Sequence, residues 1–407
     1  MTSFQELMGI LSIPRPNGSA ALRRTAAELK EWCRQRGISF SVHQFRIYPY
    51  FFEAIGVWLI ASHIFLSYAI WSKWGWLTFL IAVVALSVVL LNYVFHIPLI
   101  TWPGAETGEN ILIEFVPGGT TDPGKESIIS AHYDSKSEPL DHQQRLFLLK
   151  AFPIGILMSI LAGISGPLVI IFESVNPSLS RFIYVTGMLI TIPMLFLVLV
   201  LGLNLASGRL SPQSCGAVDN GAACAIILRF AEYLTEDQLP TTALQTSQAN
   251  QTDFLQNTRL TLAIFTGEEV DRQGSRAYAR SRDYPPETAA LNLEVMGQNG
   301  PYVLWQQDGS IFHLTPTDPH ISDMISRSVA EVTGTEPVSG GPILSDGAAF
   351  IERGIPTAVL GTYDIDWKDR GFHKPTDNLD RVVFNRLPEG VGILKAVIQQ
   401  YDQSGVE

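Results

Sequence analysis

The sequence predicts an α/β protein with a central mixed β-sheet flanked by helices, into which four transmembrane helices are inserted. Outside four long apolar runs, strand-like and helical segments alternate. The apolar runs themselves come in two pairs. Hydrophobic residues make up 46% of the 407-residue chain and charged residues only 16%, a balance typical of chains with segments in lipid.

Charge and cysteine content exclude several classes of protein. The net charge of -11 argues against nucleic acid as a partner, because phosphate binding requires a basic surface. Cys33, Cys215 and Cys224 have no framework spacing, so we expect small buried thiols and no disulfides. Residues 1–14 lack the pattern of a secretory signal, so export by that route is not expected.

The four apolar runs predict membrane-spanning helices. Each has about 20 residues or more, the length that a helix needs to cross a hydrocarbon core about 30 Å thick. Within them the acidic residues and histidines are limited to Glu53, His63 and His96, and there is no lysine or arginine. Buried core helices are the alternative interpretation, although four such runs exceed what one globular core usually holds. The runs cover residues 51–71, 74–100, 151–172 and 182–205.

Short connections within each pair predict two antiparallel hairpins, so the lipid bilayer is an expected partner. The polar remainder then lies on one side of a multi-pass protein. Basic residues are more frequent at the hairpin ends that join the polar remainder than at the opposite ends, which carry Lys73 and Arg181. This distribution favours the cytoplasmic side for the polar remainder. The predicted division is catalytic domain at 1–47, 104–145 and 209–407, with transmembrane hairpins at 48–103 and 146–208.

The polar remainder alternates between two types of element, which is typical of a parallel or mixed sheet covered by helices. Apolar periodicity predicts helices over residues 20–36, 221–234 and 385–401. It predicts strands over residues 38–45, 110–116, 127–131, 259–265, 291–295 and 356–360. A polar tract at residues 239–257 predicts a mobile surface loop.

Polar side chains follow the ends of three predicted strands. In open α/β sheets, functional groups gather at the carboxyl ends of strands. Further candidates are Asp219, at the head of a predicted helix, and His373, near the end of the chain. The side chains at the strand ends are His132 and Asp134, Glu268 and Glu269, and Glu294.

Each candidate also has a structural explanation when taken alone. Asp219 fits a helix N-cap, His132 a hydrogen-bonded core imidazole, and Glu294 a partner for an arginine. Together, two histidines and three carboxylates form the mixed nitrogen and oxygen donor set that zinc accepts, and they can share two divalent ions.

The order of these motifs resembles the di-zinc aminopeptidase family, whose relatives include bacterial leucyl-type aminopeptidases, glutamate carboxypeptidase II and glutaminyl cyclases. The resemblance covers nearly all of the chain outside the two hairpins. The motifs are His132-Tyr133-Asp134, Asp219-Asn220-Gly221, Gly267-Glu268-Glu269, Asn292-Leu293-Glu294, and His373 with Asp377.

The resemblance implies two zinc ions as cofactors. Asp219 would bridge them, His132 and Glu294 would complete one site, and Glu269 and His373 would complete the other.

The implied function is that of a membrane-anchored zinc exopeptidase, aminopeptidase-like, that hydrolyses a peptide substrate with a metal-bound hydroxide. Glu268 would act as general base, because it lies one residue from a ligand without having to bind metal itself. Asp134 would accept the second ring N–H of His132 and fix its tautomer.

Three departures from the family pattern concern substrate choice, and they leave open which end of the peptide is cleaved. Glu294 stands where an aspartate is usual, Phe372 where many members have a tyrosine, and Gly347 where the family has a histidine. Two alternatives remain: a glutaminyl-cyclase-like acyl transfer on one zinc, and an inactive receptor or scaffold on a peptidase fold.

Overall fold

The chain folds into two compact units, which we call the sheet unit and the helical unit. The computed structural model describes residues 3–97, 99–118, 123–236, 250–252, 254–310, 313–364 and 371–404. The sheet unit comprises Met1–Pro49, Glu106–Ser137 and Gln213–Glu407. The helical unit comprises Tyr50–Ala105 and Glu138–Pro212.

Strands and helices alternate along the sheet unit, while the described residues of the helical unit form four long helices and one short 3-10 helix, Gly208–Leu210. The strands are β1 (Ser41–Ile47), β2 (Glu106–Pro117), β3 (Lys125–His132), β4 (Asn250–Thr252), β5 (Thr258–Phe265), β6 (Glu287–Glu294), β7 (Tyr302–Ser310), β8 (His313–Pro316), β9 (Val338–Ile343) and β10 (Thr357–Thr362). The helices are α1 (Ser3–Leu11), α2 (Ala20–Gln35), α3 (Phe51–Trp71), α4 (Trp76–Tyr93), α5 (His142–Glu173), α6 (Pro177–Ala206), α7 (Ala222–Glu236), α8 (Gln273–Ala279), α9 (Pro319–Thr333), α10 (Gly347–Ile351) and α11 (Leu387–Gln403).

The described strands form one mixed sheet in the order β1-β2-β5-β3-β6-β10-β7-β8, with β4 beside β2 and β9 beside β7. The four central strands β5, β3, β6 and β10 run parallel. Antiparallel pairs, among them β1 with β2 and β10 with β7, lie on either side of these four. This confirms the predicted fold class of a mixed sheet flanked by helices.

Helices cover both faces of the sheet. The evidence is that neighbouring residues of its central strands belong to different hydrophobic clusters. Ile129 of β3 packs in the larger cluster, to which α7 and α11 contribute. Ile128 packs in a smaller cluster with residues of α8 and α10. Every residue of β3 is buried, as expected for a parallel strand with both faces covered.

The predicted helices correspond to α2, α7 and α11, and the predicted strands to β1, β2, β3, β5, β6 and β10. Most of the polar tract at residues 239–257 falls outside the described residues. Its residues Asn250–Thr252 form β4 and pair with β2, so this part is not the loop that we predict from sequence.

The helical unit has three helices that are long and apolar enough to cross a membrane, namely α3, α5 and α6, among the residues described. The predicted run over 74–100 is helical only from Trp76 to Tyr93. Asn92 Oδ1 accepts hydrogen bonds from the N–H groups of Leu99 and Ile100, which turns the chain back after α4. The fourth crossing therefore stays a prediction.

Close backbone approach and buried polar pairs hold the helical unit together. A Cβ added at Gly56 of α3 would lie 2.5 Å from the carbonyl oxygen of Gly202 in α6, so only glycine fits this crossing. His63 Nε2 lies 3.0 Å from Ser159 Oγ, which satisfies that ring nitrogen inside the bundle. The ionisable group in the middle of this unit thus has a packing role.

Candidate metal centre

The candidate side chains meet at one edge of the sheet. His132 ends β3, Glu294 ends β6, and Glu268 and Glu269 follow β5 directly. These three strands are parallel neighbours, so their carboxyl ends lie side by side. The structure therefore brings the predicted residues together as the strand-end pattern indicates.

His132, Asp219 and Glu294 form what we call the strand-held group. His132 Nε2 lies 3.3 Å from Asp219 Oδ1 and 3.4 Å from Glu294 Oε1. All three residues are buried, and each offers a ligand atom within 4.8 Å of the others.

Asp219, Glu269 and His373 form a second set, the loop-held group. His373 Nε2 lies 3.0 Å from Glu269 Oε2 and 3.4 Å from Asp219 Oδ2. Asp219 thus faces a different histidine with each of its carboxylate oxygens. That is the geometry expected of a ligand shared between two ions.

Glu268 points toward the same centre without belonging to either group. Its Oε2 lies 3.9 Å from His132 Nε2, and its side chain keeps 13% of its surface exposed. Glu268 therefore lies beside both groups while part of its side chain stays accessible to solvent.

Asp134 holds two loops together beneath the centre. Its Oδ2 accepts hydrogen bonds from Asn17 Nδ2 at 2.7 Å and from the backbone N–H of Glu269 at 3.1 Å. Its Oδ1 lies 3.6 Å from His132 Nδ1, whereas its own backbone carbonyl lies at 3.3 Å and accepts from that nitrogen. With Nδ1 engaged in this way, Nε2 is the ring nitrogen that faces the carboxylates of the centre.

Burial and mutual contact shift the pKa values of the centre in different directions. Burial alone would lower the pKa of His132, but the adjacent carboxylates outweigh it and raise that pKa well above its ordinary value. Burial raises the pKa of Glu294 to about 7, and it raises the pKa of Glu268 well above its ordinary value. For Asp219, the two histidines overcome burial and lower the pKa.

Unsatisfied buried atoms show that the centre suits a cation. His132 Nε2 and Glu269 Oε1 are buried and have no hydrogen-bond partner among the described residues. Both atoms belong to the metal groups. Two imidazoles and three carboxylates match the donors that zinc accepts, so the residues fit the implied metal.

Two further residues fix the loop that carries Asp219. Arg15 is fully buried and donates from Nη2 to Gly216 O at 2.8 Å and from Nε to the carbonyl of Tyr133. Asp377 accepts the backbone N–H groups of Val218, at 2.7 Å, and of Asp219, at 3.3 Å. The loop is thereby tied to the His132 segment on one side and to the His373 segment on the other.

Arg15 and Asn17 support the centre structurally, and the sequence alone does not reveal them. They lie in the loop after α1, far along the chain from every ligand that they support. Only Asp377 carried a signal, because it completes the late His-Asp motif.

Local packing explains why a glycine occupies position 347. A Cβ added there would lie 2.8 Å from Asp308 Oδ2. That carboxylate accepts the hydroxyl of Ser345 at 2.6 Å, so it already fills the space beside Gly347. Phe372 is partly buried against the main core.

Comparison with a known family supports the resemblance inferred from the sequence. The sequence pattern of Peptidase family M28 matches residues 202–389. The match includes Asp219, Glu268, Glu269, Glu294 and His373, and it confirms the resemblance inferred from the motifs. No curated protein sequence matches the chain.

Solved structures share the fold. The chain resembles BSAP, a zinc aminopeptidase from Bacillus subtilis, with a TM-score of 0.53 and 13% identity over 98% of this chain and 94% of that one. An aminopeptidase from Aneurinibacillus sp. strain AM-1 gives a TM-score of 0.53 and 13% identity over 98% and 92%. A glutaminyl cyclase from Fimbriiglobus ruber gives 0.51 and 14% over 98% and 92%. In another structure of the Bacillus subtilis enzyme, the alignment covers 51% of that chain.

Proposed function

We propose that this chain is a membrane-anchored zinc exopeptidase, aminopeptidase-like in its reaction, that hydrolyses peptide bonds. The arrangement of Asp219 carries the proposal, because its two carboxylate oxygens face His132 and His373 separately. A helix N-cap or a simple ion pair would not explain a second histidine on the other oxygen. A carboxylate shared between two cations explains it, because each cation has its own histidine ligand.

The two groups would each hold one zinc ion. His132 and Glu294 would bind the first, Glu269 and His373 the second, and Asp219 both. Bound zinc supplies a Lewis acid for the scissile carbonyl and lowers the pKa of an adjacent water molecule.

Glu268 would take the proton of that water. Burial and the carboxylates around it raise the pKa of its side chain, which favours the protonated glutamate as the acid that would then protonate the leaving amine. Asp134 would keep Glu269 and His132 in place through its contacts with both segments. The chain's own residues thus provide both proton transfer and alignment.

The hairpins at 48–103 and 146–208 would anchor this enzyme in the bilayer, with the catalytic domain on the cytoplasmic side. The length and apolar composition of α3, α5 and α6 support the anchor. The distribution of basic residues supports the orientation.

A glutaminyl-cyclase-like acyl transfer is the second candidate, and the shared fold with the Fimbriiglobus ruber cyclase favours it. It needs one zinc ion, whereas the five donors seen here suit two. The zinc content of the purified protein separates the two candidates: near two per chain for the peptidase and near one for the cyclase.

The decisive experiment compares the wild type with Glu268→Gln on peptides that differ at the amino and the carboxy terminus, while bound zinc is counted. We expect Glu268→Gln to lose activity by about 100- to 10,000-fold, the usual contribution of a general base, and to keep its zinc. The neighbouring variant Glu269→Gln is the matched contrast, because it removes a ligand and should lose zinc as well as activity. Equal turnover by Glu268→Gln and the wild type would overturn the mechanism.

A further inference from the structure

One face of the paired strands β3 and β6 carries four polar side chains near the candidate centre. Side chains two residues apart on a strand share a face, so Ser130 lies beside His132 and Asn292 lies beside Glu294. Ser130 and Asn292 are opposite each other in the parallel ladder. The sheet therefore places a serine and an asparagine directly behind two of the metal-group residues.

Hydrogen bonds connect these side chains in a fixed direction. Ser130 Oγ donates to Asn292 Oδ1 at 2.8 Å, and Asn292 Nδ2 donates to Glu294 Oε2 at 3.1 Å. Because the serine hydroxyl engages the carbonyl end of the amide, the amino end is turned toward the glutamate. A longer contact of 3.4 Å from Asn220 Nδ2 reaches the same Oε2.

The two oxygens of Glu294 thus have different surroundings. Oε2 is occupied by the carboxamides, whereas Oε1 lies 3.4 Å from His132 Nε2 within the strand-held group. Ser130 and Asn292 are 0% exposed, so solvent cannot replace a lost hydrogen bond at this place.

We propose that Asn292, oriented by Ser130, is a positioning residue that engages Oε2 of Glu294 and thereby presents Oε1 to the metal. Glutamate has one more rotatable bond than the aspartate usual at this position, so its carboxylate needs a restraint that a shorter side chain would not. The inference rests on the proposed zinc function and adds a determinant of affinity at one of its two sites.

The test measures zinc affinity and stoichiometry in the full-length protein with Asn292→Ala, Ser130→Ala and a control, Ser127→Ala. Ser127 is also buried on β3 but lies on the opposite face of the strand. We expect Asn292→Ala to keep one zinc ion at wild-type affinity and to hold the other about 10- to 100-fold more weakly. Ser130→Ala should shift the same ion in the same direction by a smaller factor, and Ser127→Ala should match the wild type.

A spectroscopic measurement and melting temperatures separate positioning from simple loss of packing. In cobalt-substituted protein, Asn292→Ala should change the visible absorption of one ion even at saturating cobalt. A lowered melting temperature with unchanged zinc affinity and cobalt spectrum would assign a packing role only and overturn the inference. If Asn292→Ala does not fold, Ser130→Ala, which removes one hydroxyl, decides in its place.

The results also distinguish a failure of the positioning role from a failure of the proposed zinc function. Two tightly bound ions in both Asn292→Ala and Ser130→Ala, as in the wild type, overturn the positioning role and leave the zinc peptidase standing. Fewer than two ions in the wild type overturn the two-zinc function, and the inference with it.

Discussion

The strand-held and loop-held groups share Asp219 but differ in how their other members are fixed. His132 and Glu294 are the last residues of paired strands, and their side chains are 1% and 7% exposed. Glu269 lies in a short turn and His373 in a loop, where 17% of its side chain is exposed. The sheet therefore sets the first geometry, while loop conformation sets the second.

Because of this difference, we expect the two sites to differ in how firmly they would hold their zinc ions. A group fixed by backbone ladders keeps its spacing without metal, so it would bind the more permanent ion. A group that depends on a loop histidine adjusts more readily, which suits a site that must open to substrate. Three changes test this expectation: removal of the shared Asp219, removal of one histidine from each group, and a change of pH that alters protonation of the strand-held group.

Removing the shared ligand should have the largest effect. Asp219→Ala takes a donor from both groups, so we expect zinc to fall from near two per chain to near zero. Activity should fall by about 1000-fold or more, since the lost metal chemistry contributes several kcal/mol. Zinc analysis and peptide turnover measure this, with Asp318→Ala, at the N-cap of α9, as a carboxylate control. Retention of one ion at wild-type affinity would show that Asp219 is not shared.

Removing one histidine at a time should separate the groups by stability. In metal-free protein, His132→Ala leaves several buried carboxylates without a cation, which should cost about 3 to 5 kcal/mol. His373→Ala removes a partly exposed side chain, so water can compensate in part, and it should cost less, about 1 to 3 kcal/mol. Thermal unfolding after chelator treatment gives the comparison. A larger loss for His373→Ala would contradict the ranking of the two groups.

The strand-held group should also respond to pH. The raised pKa of His132 means that zinc must displace a proton from it, and Glu294, with a pKa of about 7, adds to this. In His373→Ala, zinc affinity should therefore rise by about tenfold per pH unit between about pH 7 and the pKa of His132, where one proton is displaced, and more steeply just below about pH 7, where Glu294 releases a second. Metal-free stability should change in the opposite direction, since the protonated histidine's contribution is lost as pH rises through that pKa. Chelator competition at several pH values measures the slope, and an affinity independent of pH would contradict it.

The candidate ligands could be predicted to lie together because the ends of parallel strands converge at one edge of a sheet. The pattern of apolar runs followed by His132, Glu268 and Glu294 contained that information without any contact map. Asn292 and Ser130 were not predicted, although a signal exists, since each stands two residues before a candidate ligand on the same strand face.

Other parts could not be inferred from the chain alone. Arg15 contacts the carbonyls of Tyr133 and Gly216 only after folding joins distant segments, and an arginine in a loop carries no local sign of this. Strand β9 was missed because it contains two glycines and a proline and is mostly exposed, so ladder pairing and not apolar periodicity defines it. The end of α4 depends on a side-chain hydrogen bond of Asn92 that hydropathy does not encode.

The points at which the sheet unit is interrupted have an evolutionary consequence. Ile47 and Glu106 face each other at the end of the β1–β2 pair, and the N–H of Ser214 donates to Ser137 Oγ at 2.8 Å. Each long insertion therefore starts and finishes at adjacent positions, as an ordinary surface turn would. An ancestral turn could lengthen into an anchor, or shorten again, without changing the register of the strands beside it. The reason is that closing a longer loop costs little additional conformational entropy. Attachment to a membrane would then be a separable trait, gained by a complete enzyme at places where its chain already reversed.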